Sequence, residues 1–306
     1  MSEQYIFEVD TDANNRIDKF LSKQLQELSR SHIQKLIREQ GVLVNDKPVK
    51  TNYKLSSGDS VTVQIPKVKE PDILPEDIPL DILYEDKDII IVNKPKGMVV
   101  HPAAGHYSGT LVNALMYHCT DLSGINGLTR PGIVHRIDMD TTGSILVCKN
   151  DLAHQHAAEQ FKSHSLKREY HAIVFGNLKA DTGTIEGPIG RHPNDRKKMC
   201  INEKNGKAAV TYYEVLQRFG SYTYLKCRLE TGRTHQIRVH MASIHHPLLG
   251  DTVYGPQKQP YKTQGQVLHA KVLGIDHPVT GEYIEIDAPL PEYFVKLLEK
   301  LEHQYL

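Results

Sequence analysis

Gly132-Ile133-Val134-His135-Arg136-Ile137-Asp138-Met139-Asp140-Thr141-Thr142-Gly143 is the stretch on which the reading of this chain turns. It places an imidazole, a guanidinium and two carboxylates within six residues. An apolar approach at Ile133 and Val134 precedes them, and Ile145, Leu146 and Val147 form a strand-like exit. Acidic side chains are seldom buried unless paired. A carboxylate at the edge of a core, with an Arg two residues earlier on the same strand face, is either a structural ion pair or a reactive centre. Alone, the run favours the structural pair by about two to one, because ion-pair networks gather charge in the same way.

Working outward, Ile82-Leu83-Tyr84 and Ile89-Ile90-Ile91-Val92 read as two short strands joined by the turn Glu85-Asp86-Lys87-Asp88. Helices are expected over 110–118 and 152–161, and a closing helix over 293–302. The segments 169–175, 208–216, 222–230 and 235–241 read as mainly extended. No βαβ periodicity and no GxGxxG fingerprint occur, which argues against a doubly wound nucleotide fold.

Residues 14–66 read as a separate module of two helices and a hairpin. Ile17, Phe20, Leu21, Leu25 and Leu28 follow helical spacing. Ser29 or Ser31 is placed to cap a second helix with Ile33, Leu36 and Ile37 on its apolar face, and Gly41 to stop it. Val42 and Val44, then Val61, Val63 and Ile65, alternate as strands. The module carries nine basic and five acidic residues, whereas 67–88 carries three basic and eight acidic ones. Residues 67–80 read as an acidic, Pro-rich linker, leaving 81–306 as the large domain.

The 306 residues hold 37 Lys plus Arg and 37 Asp plus Glu, with 39% hydrophobic and 24% charged residues, ordinary for a globular protein. Balanced charge does not exclude RNA, because counterion release depends on local basic clusters. No apolar run approaches the ~18 residues of a membrane span. The polar, acidic start MSEQYIFEVDTD is neither a signal nor a transit peptide. Cys119, Cys148, Cys200 and Cys227 form no CxxC pair and suit a reducing cytoplasm.

Seventeen histidines invite a metal, but no HExxH or other ligand spacing occurs, and no metal or cofactor is expected. There is no GxSxG elbow. The run Glu230 to His240 brings Arg233, His235 and Arg238 together on what reads as a strand, a pattern suited to pairing with an anion or carboxylate. Tyr170 enters a strand behind basic residues, as packing or as a stacking face for a nucleobase. Residues 191–207 hold six basic and two acidic side chains on a turn-rich loop, and Arg30, Lys35 and Arg38 line the second helix of the module.

With these residues in place the chain resembles the RluA-type pseudouridine synthases, and within them the RluD-like enzymes. Gly132–Asp138 is similar to that family's HRLD block, Lys94–Pro102 to its KPxGxxVHP block, and Lys167–Ala172 to the block that holds its tyrosine. Thr231–His240, with Pro247–Asp251 and Leu268–Ala270, resembles its third block, and 14–66 resembles an S4 RNA-binding domain. Ile137, Met139 and Thr142-Gly143-Ser144 depart from the usual family residues without altering a carboxylate or guanidinium. The resemblance implies an α+β fold: a mixed, largely antiparallel β-sheet catalytic core with a small α/β S4 domain at the N-terminus.

It also implies isomerisation of uridine to pseudouridine in RNA, most naturally 23S ribosomal RNA or a pre-ribosomal particle, by a cytoplasmic monomer. Asp138 would be the essential carboxylate and Arg233 its charge partner. Tyr170 would pack on the uracil, and Arg136 would enter the RNA in place of the flipped base. Arg30, Lys35 and Arg38 would hold RNA on the S4-like module. The competing readings are a non-catalytic RNA-binding or ribosome-assembly protein that keeps the fold, and a small-molecule nucleosidase.

Overall fold

The computed structural model describes residues 3–10, 15–25, 28, 30–65, 73–103, 105–127, 130–195 and 197–305. The chain divides into two compact units, Met1–Glu70 and Pro71–Leu306.

The first unit runs β1 (Glu3–Glu8), α1 (Ile17–Gln24), α2 (Arg30–Arg38), β2 (Val42–Val44), β3 (Lys47–Pro48) and β4 (Ser60–Ile65). Its antiparallel sheet has the order β1-β4-β2-β3. Helical spacing puts Ile17, Phe20 and Leu21 on one face of α1, and Ile33, Leu36 and Ile37 on one face of α2. Strand alternation adds Val42, Val44, Val61 and Val63, and together they fill one core. Burial of each such side chain stabilises by about 1.5–3 kcal/mol.

Three expectations shift here. The unit begins before residue 14, because β1 pairs along the whole of β4 from Glu3↔Ile65 to Glu8↔Ser60. The left-handed residue that stops α2 is Gln40 (φ 59°), not Gly41. Gly41 is required instead by close approach, since a Cβ there would lie 3.0 Å from Gln64 O. Ser29 lies outside the described residues, as do residue 66 and 67–72 of the linker. From residue 73 the expected linker is part of the second unit. Ile73 is buried beside Ile90 and Val92, and Glu76 N donates to Asn113 O at 3.0 Å.

The second unit runs β5 (Ile82–Glu85), β6 (Ile89–Lys94), α3 (Leu111–His118), β7 (Thr142–Cys148), α4 (Asp151–Ser163), β8 (Lys167–Phe175), β9 (Thr182–Glu186), β10 (Ile189–Arg191), β11 (Met199–Ile201), β12 (Val210–Arg218), β13 (Tyr222–Leu229), α5 (Gln236–Ser243), β14 (Leu268–Asp276), β15 (Tyr283–Asp287) and α6 (Glu292–Tyr305). Nine strands form one sheet in the order β5-β6-β7-β14-β8-β13-β12-β9, with β15 added to β14. Every pairing is antiparallel except the short β7–β14 contact at His269↔Thr142 and Ala270↔Gly143. The basic stretch 191–207, expected as a loop, contains the second strand of the β10–β11 hairpin; Arg196 lies outside the described residues.

Continuous apolar runs in β6 and β7 follow from cover on both faces. Ile90, Val92, Ile145 and Val147 meet Leu111, Val112 and Leu115 of α3. Ile89, Ile91, Leu146 and Cys148 meet Ala153 and Ala157 of α4. Further along the sheet, Tyr170, Ala172, Leu225 and Cys227 pack under Ile237 and Met241 of α5. The opposite face there, with Ile173, is closed by Phe294, Leu297 and Leu301 of α6. Among the described residues no helix is long and apolar enough to cross a membrane.

The stretch 235–241, expected as a strand, is helical from Gln236. Ile237, Val239 and Met241 mimic strand alternation, but every residue from Gln236 to Met241 is buried, so this helix has no polar face to betray its period.

Candidate active site

The loop ahead of β7 is fixed to that strand at several points. Gly132 N donates to Ser123 O at 2.7 Å, and Cys148 N donates to Gly132 O at 2.9 Å. Gly132 has φ +71°, and a Cβ there would lie 2.6 Å from Cys148 O. Leu146 N donates to His135 Nε2 at 2.8 Å, which leaves the imidazole proton on Nδ1. The ring stacks on Phe161 at 4.5 Å. Burial and then the Arg168 charge push His135 down to about 3.

Asp138 sits on a turn closed by Thr141 N donating to Asp138 O at 3.0 Å. The next carbonyl, that of Met139, accepts from Gly97 N at 3.0 Å and from Lys94 Nζ at 2.9 Å. Lys94 is fully buried, and its Nζ also donates to Pro95 O and Met98 O at 2.8 and 2.9 Å. Burial, partly offset by Asp140 and Asp138, lowers it to about 7. On the far side, Gly143 (φ +107°) lets β14 approach, since a Cβ there would lie 2.3 Å from Ala270 O.

The group paired with Asp138 is Arg238, not Arg233. Arg238 Nη1 donates to Asp138 Oδ2 at 2.9 Å, while its Nε and Nη2 fork onto Asp251 Oδ2 and Oδ1 at 2.6 and 3.0 Å. Arg233 Nε donates instead to Ala208 O at 3.0 Å. The helix explains the exchange. Gln236 Oε1 accepts from Arg233 N at 2.9 Å and Thr231 Oγ1 at 2.8 Å, which folds the turn back. His235 takes the left-handed conformation (φ 58°), and Arg238 follows on the first turn of α5, pointing inward. Asp251, also held by Val253 N and Tyr254 N, fixes the fork so that Nη1 is left for Asp138.

Asp138 Oδ1 accepts no hydrogen bond among the described residues. His235 Nε2 is 3.7 Å from it, too far for one. The His235 Nδ1 meets Tyr254 OH at 2.7 Å, and burial lowers the imidazole pKa, keeping it neutral. A cavity opens here, about 380 Å³ including the solvent at its mouth, lined by Asp138, Arg136, Tyr170, Arg233, Leu229 and Leu268 among others. Burial raises the pKa of Tyr170, so its phenol is neutral. Arg136 is exposed and has no carboxylate partner among the described residues. The cavity therefore offers the largely apolar surfaces of Tyr170, Leu229 and Leu268 to a flat, partly apolar ring, with the Asp138 carboxylate in the same lining.

Sequence reasoning brought Arg136, Asp138, Tyr170 and Arg233 to one cavity and missed what positions them. The sequence groups Arg238 with Arg233 and His235 as suited to pair with an anion or carboxylate, but the resemblance gives Arg233 as the partner of Asp138. Asp251 and Lys94 lay inside quoted blocks without a role, and nothing in the sequence pointed to Tyr254. Asp140 lies between Lys94 and Lys96, with its pKa raised by burial, against Gly265.

The module residues sort differently from expectation. Arg30 Nη2 and Nε donate to Asp18 Oδ2 at 2.8 and 3.2 Å, so this side chain is tied within the unit. Lys35 lies 3.8 Å from Glu39. Arg38 has no carboxylate partner among the described residues and lines a surface cleft with Lys50 and Asn52.

Among the described residues, two groups of side chains have ligand-type atoms close together, Glu85-His118-Cys119 and Asp86-Asp88-His277. In the second, Val279 N and Thr280 N donate to His277 Nδ1, so Nε2 carries the proton and gives it to Asp86 Oδ2 at 2.8 Å. That imidazole has no lone pair left for a metal. In the first, Glu85 is already engaged by Lys149 and His118.

Residues 88–243 match the family model described as RNA pseudouridylate synthase, and residues 15–61 match the S4 domain. The chain is 54% identical over 288 residues to an RNA pseudouridine synthase of Bacillus subtilis, covering 94% of each chain. It is 42% identical to ribosomal large subunit pseudouridine synthase D of Escherichia coli, over 95% of this chain and 91% of that protein. Among solved structures it is similar to human RNA pseudouridylate synthase domain containing 1, with a TM-score of 0.55 and 25% identity over 74% of this chain and 96% of that one.

Proposed function

This chain belongs to the RNA pseudouridylate synthase family, and on that premise we propose that Asp138 is the carboxylate through which it isomerises uridines of large-subunit ribosomal RNA. The reaction breaks the N1–C1′ bond of uridine and joins C1′ to C5 of the same base. The proton at C5 is lost and N1 gains one. Nothing is oxidised and no group is imported, so neither metal nor cofactor is needed.

The observation that carries this reading is the asymmetry of Asp138 in the wall of the cavity, with Oδ2 bound to Arg238 and Oδ1 accepting no hydrogen bond among the described residues. Whether it attacks C1′, adds to the base or removes the C2′ proton, the carboxylate must act ionised, by the logic of a glycosidase nucleophile. The Arg238–Asp251 fork holds it in one geometry through the reaction. Tyr170 packs on the uracil while it is detached and turned, with its neutral hydroxyl available for proton transfer at C5. Arg136, unpaired at the rim, fills the helix position left by the flipped base and offsets an unstacking cost of a few kcal/mol. Arg233 faces the same cavity as a substrate contact.

The S4-like unit adds RNA affinity by linkage more than by reading sequence, with Arg38 the least encumbered of its three named cations. The E. coli relative's name supports large-subunit ribosomal RNA as substrate, and we place the reaction in the cytoplasm, where four cysteines without a CxxC pair suit a reducing environment. The test is a map of pseudouridines in ribosomal RNA from cells with and without this gene. Loss of one or more large-subunit sites, restored by the wild-type gene, is expected. An unchanged map contradicts the ribosomal substrate.

A further inference from the structure

We propose that a cleft next to the Asp138 cavity, walled by His101, Arg130 and Arg136, binds one phosphodiester of the RNA strand beside the target uridine. The proposal rests on the reading of the chain as an RNA-modifying enzyme and adds a subsite to it.

The cleft measures about 710 Å³ including its mouth, and no carboxylate lines it. Arg136 lines both this cleft and the Asp138 cavity, so a group held here is adjacent to the nucleotide held there. Arg130 and Arg136 are exposed cations that none of the described carboxylates neutralises.

The back of the cleft is built rather than superficial. His101 is only 6% exposed, and its Nδ1 has no hydrogen-bond partner among the described residues, an orphan that ordinarily carries a cost. Burial and then the charges of Arg130 and Arg136 lower its pKa to about 4, so the ring is neutral and offers one N–H without adding to the repulsion between the arginines. Asn126 holds the wall in place, its Nδ2 donating to Ile133 O at 2.8 Å and meeting His154 Nε2 at 3.1 Å. His135, with its proton on Nδ1, lines the same wall.

Two unpaired guanidinium groups and neutral imidazole N–H groups suit a singly charged, oxygen-rich ligand. A phosphodiester has that charge and those acceptors. A carboxylate ligand of small size would not need a cleft that shares the Arg136 wall with the base-binding cavity.

The experiment uses the full chain and an RNA stem-loop in which wild-type protein forms pseudouridine, so that failure of the enzyme reading is seen before any variant is compared. Each phosphate within three nucleotides of the target is replaced in turn by a neutral methylphosphonate, and binding is measured for wild type and Arg130→Gln. One position is expected at which the neutral linkage weakens wild-type binding about tenfold and weakens Arg130→Gln by less than about twofold, because the contact is already gone. The salt slope of Arg130→Gln should fall by about one. His101→Gln, which keeps a polar side chain, should show the same non-additivity at that position. The proposal is overturned if Arg130→Gln binds as wild type does, or if its loss adds to that of the methylphosphonate at every position. Competition by millimolar inorganic phosphate without any coupled RNA position would make the cleft a site for free anions, and would overturn it too.

Discussion

Asp18 in the first unit and Asp138 in the second are both carboxylates held by guanidinium groups, and they differ in how completely they are held. Asp18 has no exposed side-chain surface and accepts from Arg16 on both oxygens, and from Arg30 and Gln34 on Oδ2. Burial alone would raise its pKa, but the hydrogen bonds from Arg16, Gln34 and Arg30 outweigh it and hold the group well below the usual carboxylate range. Asp138 is 19% exposed, has a single charged hydrogen bond on Oδ2, and lines a cavity with Oδ1 accepting none among the described residues. Pairing with Arg therefore does not separate a structural carboxylate from a reactive one. The number of acceptor positions left open does.

That contrast can be broken most severely at Arg238. Arg238→Gln removes the cation shared by buried Asp251 and half-buried Asp138, and chemical denaturation should show a loss of about 3–5 kcal/mol, with turnover lost alongside. A loss under 1 kcal/mol would mean the fork is not the anchor described here. Asp251→Asn is sharper, because it keeps the volume and loosens only the orientation of Arg238. It should lower kcat about 100-fold with little change in RNA affinity, and an equal rise in KM would assign Asp251 to binding.

Asp18→Asn should cost about 2 kcal/mol through weakened charged hydrogen bonds, read as roughly 30-fold faster amide exchange in α1 and α2. Its kcat on a saturating short RNA should change less than about twofold. The pH dependence has a definite sign. Because the folded pKa of Asp18 is depressed, its contribution is complete above the unfolded value of 3.8 and is lost as pH falls below it. Wild-type exchange protection in α1 and α2 should therefore decline from about pH 4 downward more steeply than in Asp18→Asn. The smallest effect expected is none: treatment with EDTA should leave turnover unchanged, and a loss restored by a divalent ion would contradict chemistry without metal.

How much of this was legible in the sequence follows from locality. The helices of the first unit and strands β5 to β7 could be read because their apolar residues recur at a fixed period or in unbroken runs. Helix α5 could not, since burial on all sides erased the period that identifies a helix. The cavity residues Arg136, Asp138, Tyr170 and Arg233 were reachable through charge clustering and resemblance. The partner of Asp138 was misassigned because Gln236 and His235 reverse the chain just before Arg238, a turn set by a side-chain amide and one left-handed residue. Asp251 is 13 residues from Arg238 and 113 from Asp138, and only the folded chain brings the three together.

The most direct test of the contrast is tritium release by Asp138→Asn from RNA labelled at C5 of uridine, measured beside its denaturation midpoint. Because the Arg238–Asp251 pair remains, the variant should fold and bind RNA like wild type while releasing label only at background. Release at the wild-type rate, or unfolding as severe as that of Arg238→Gln, would contradict the assignment of Asp138 as the open, reactive carboxylate.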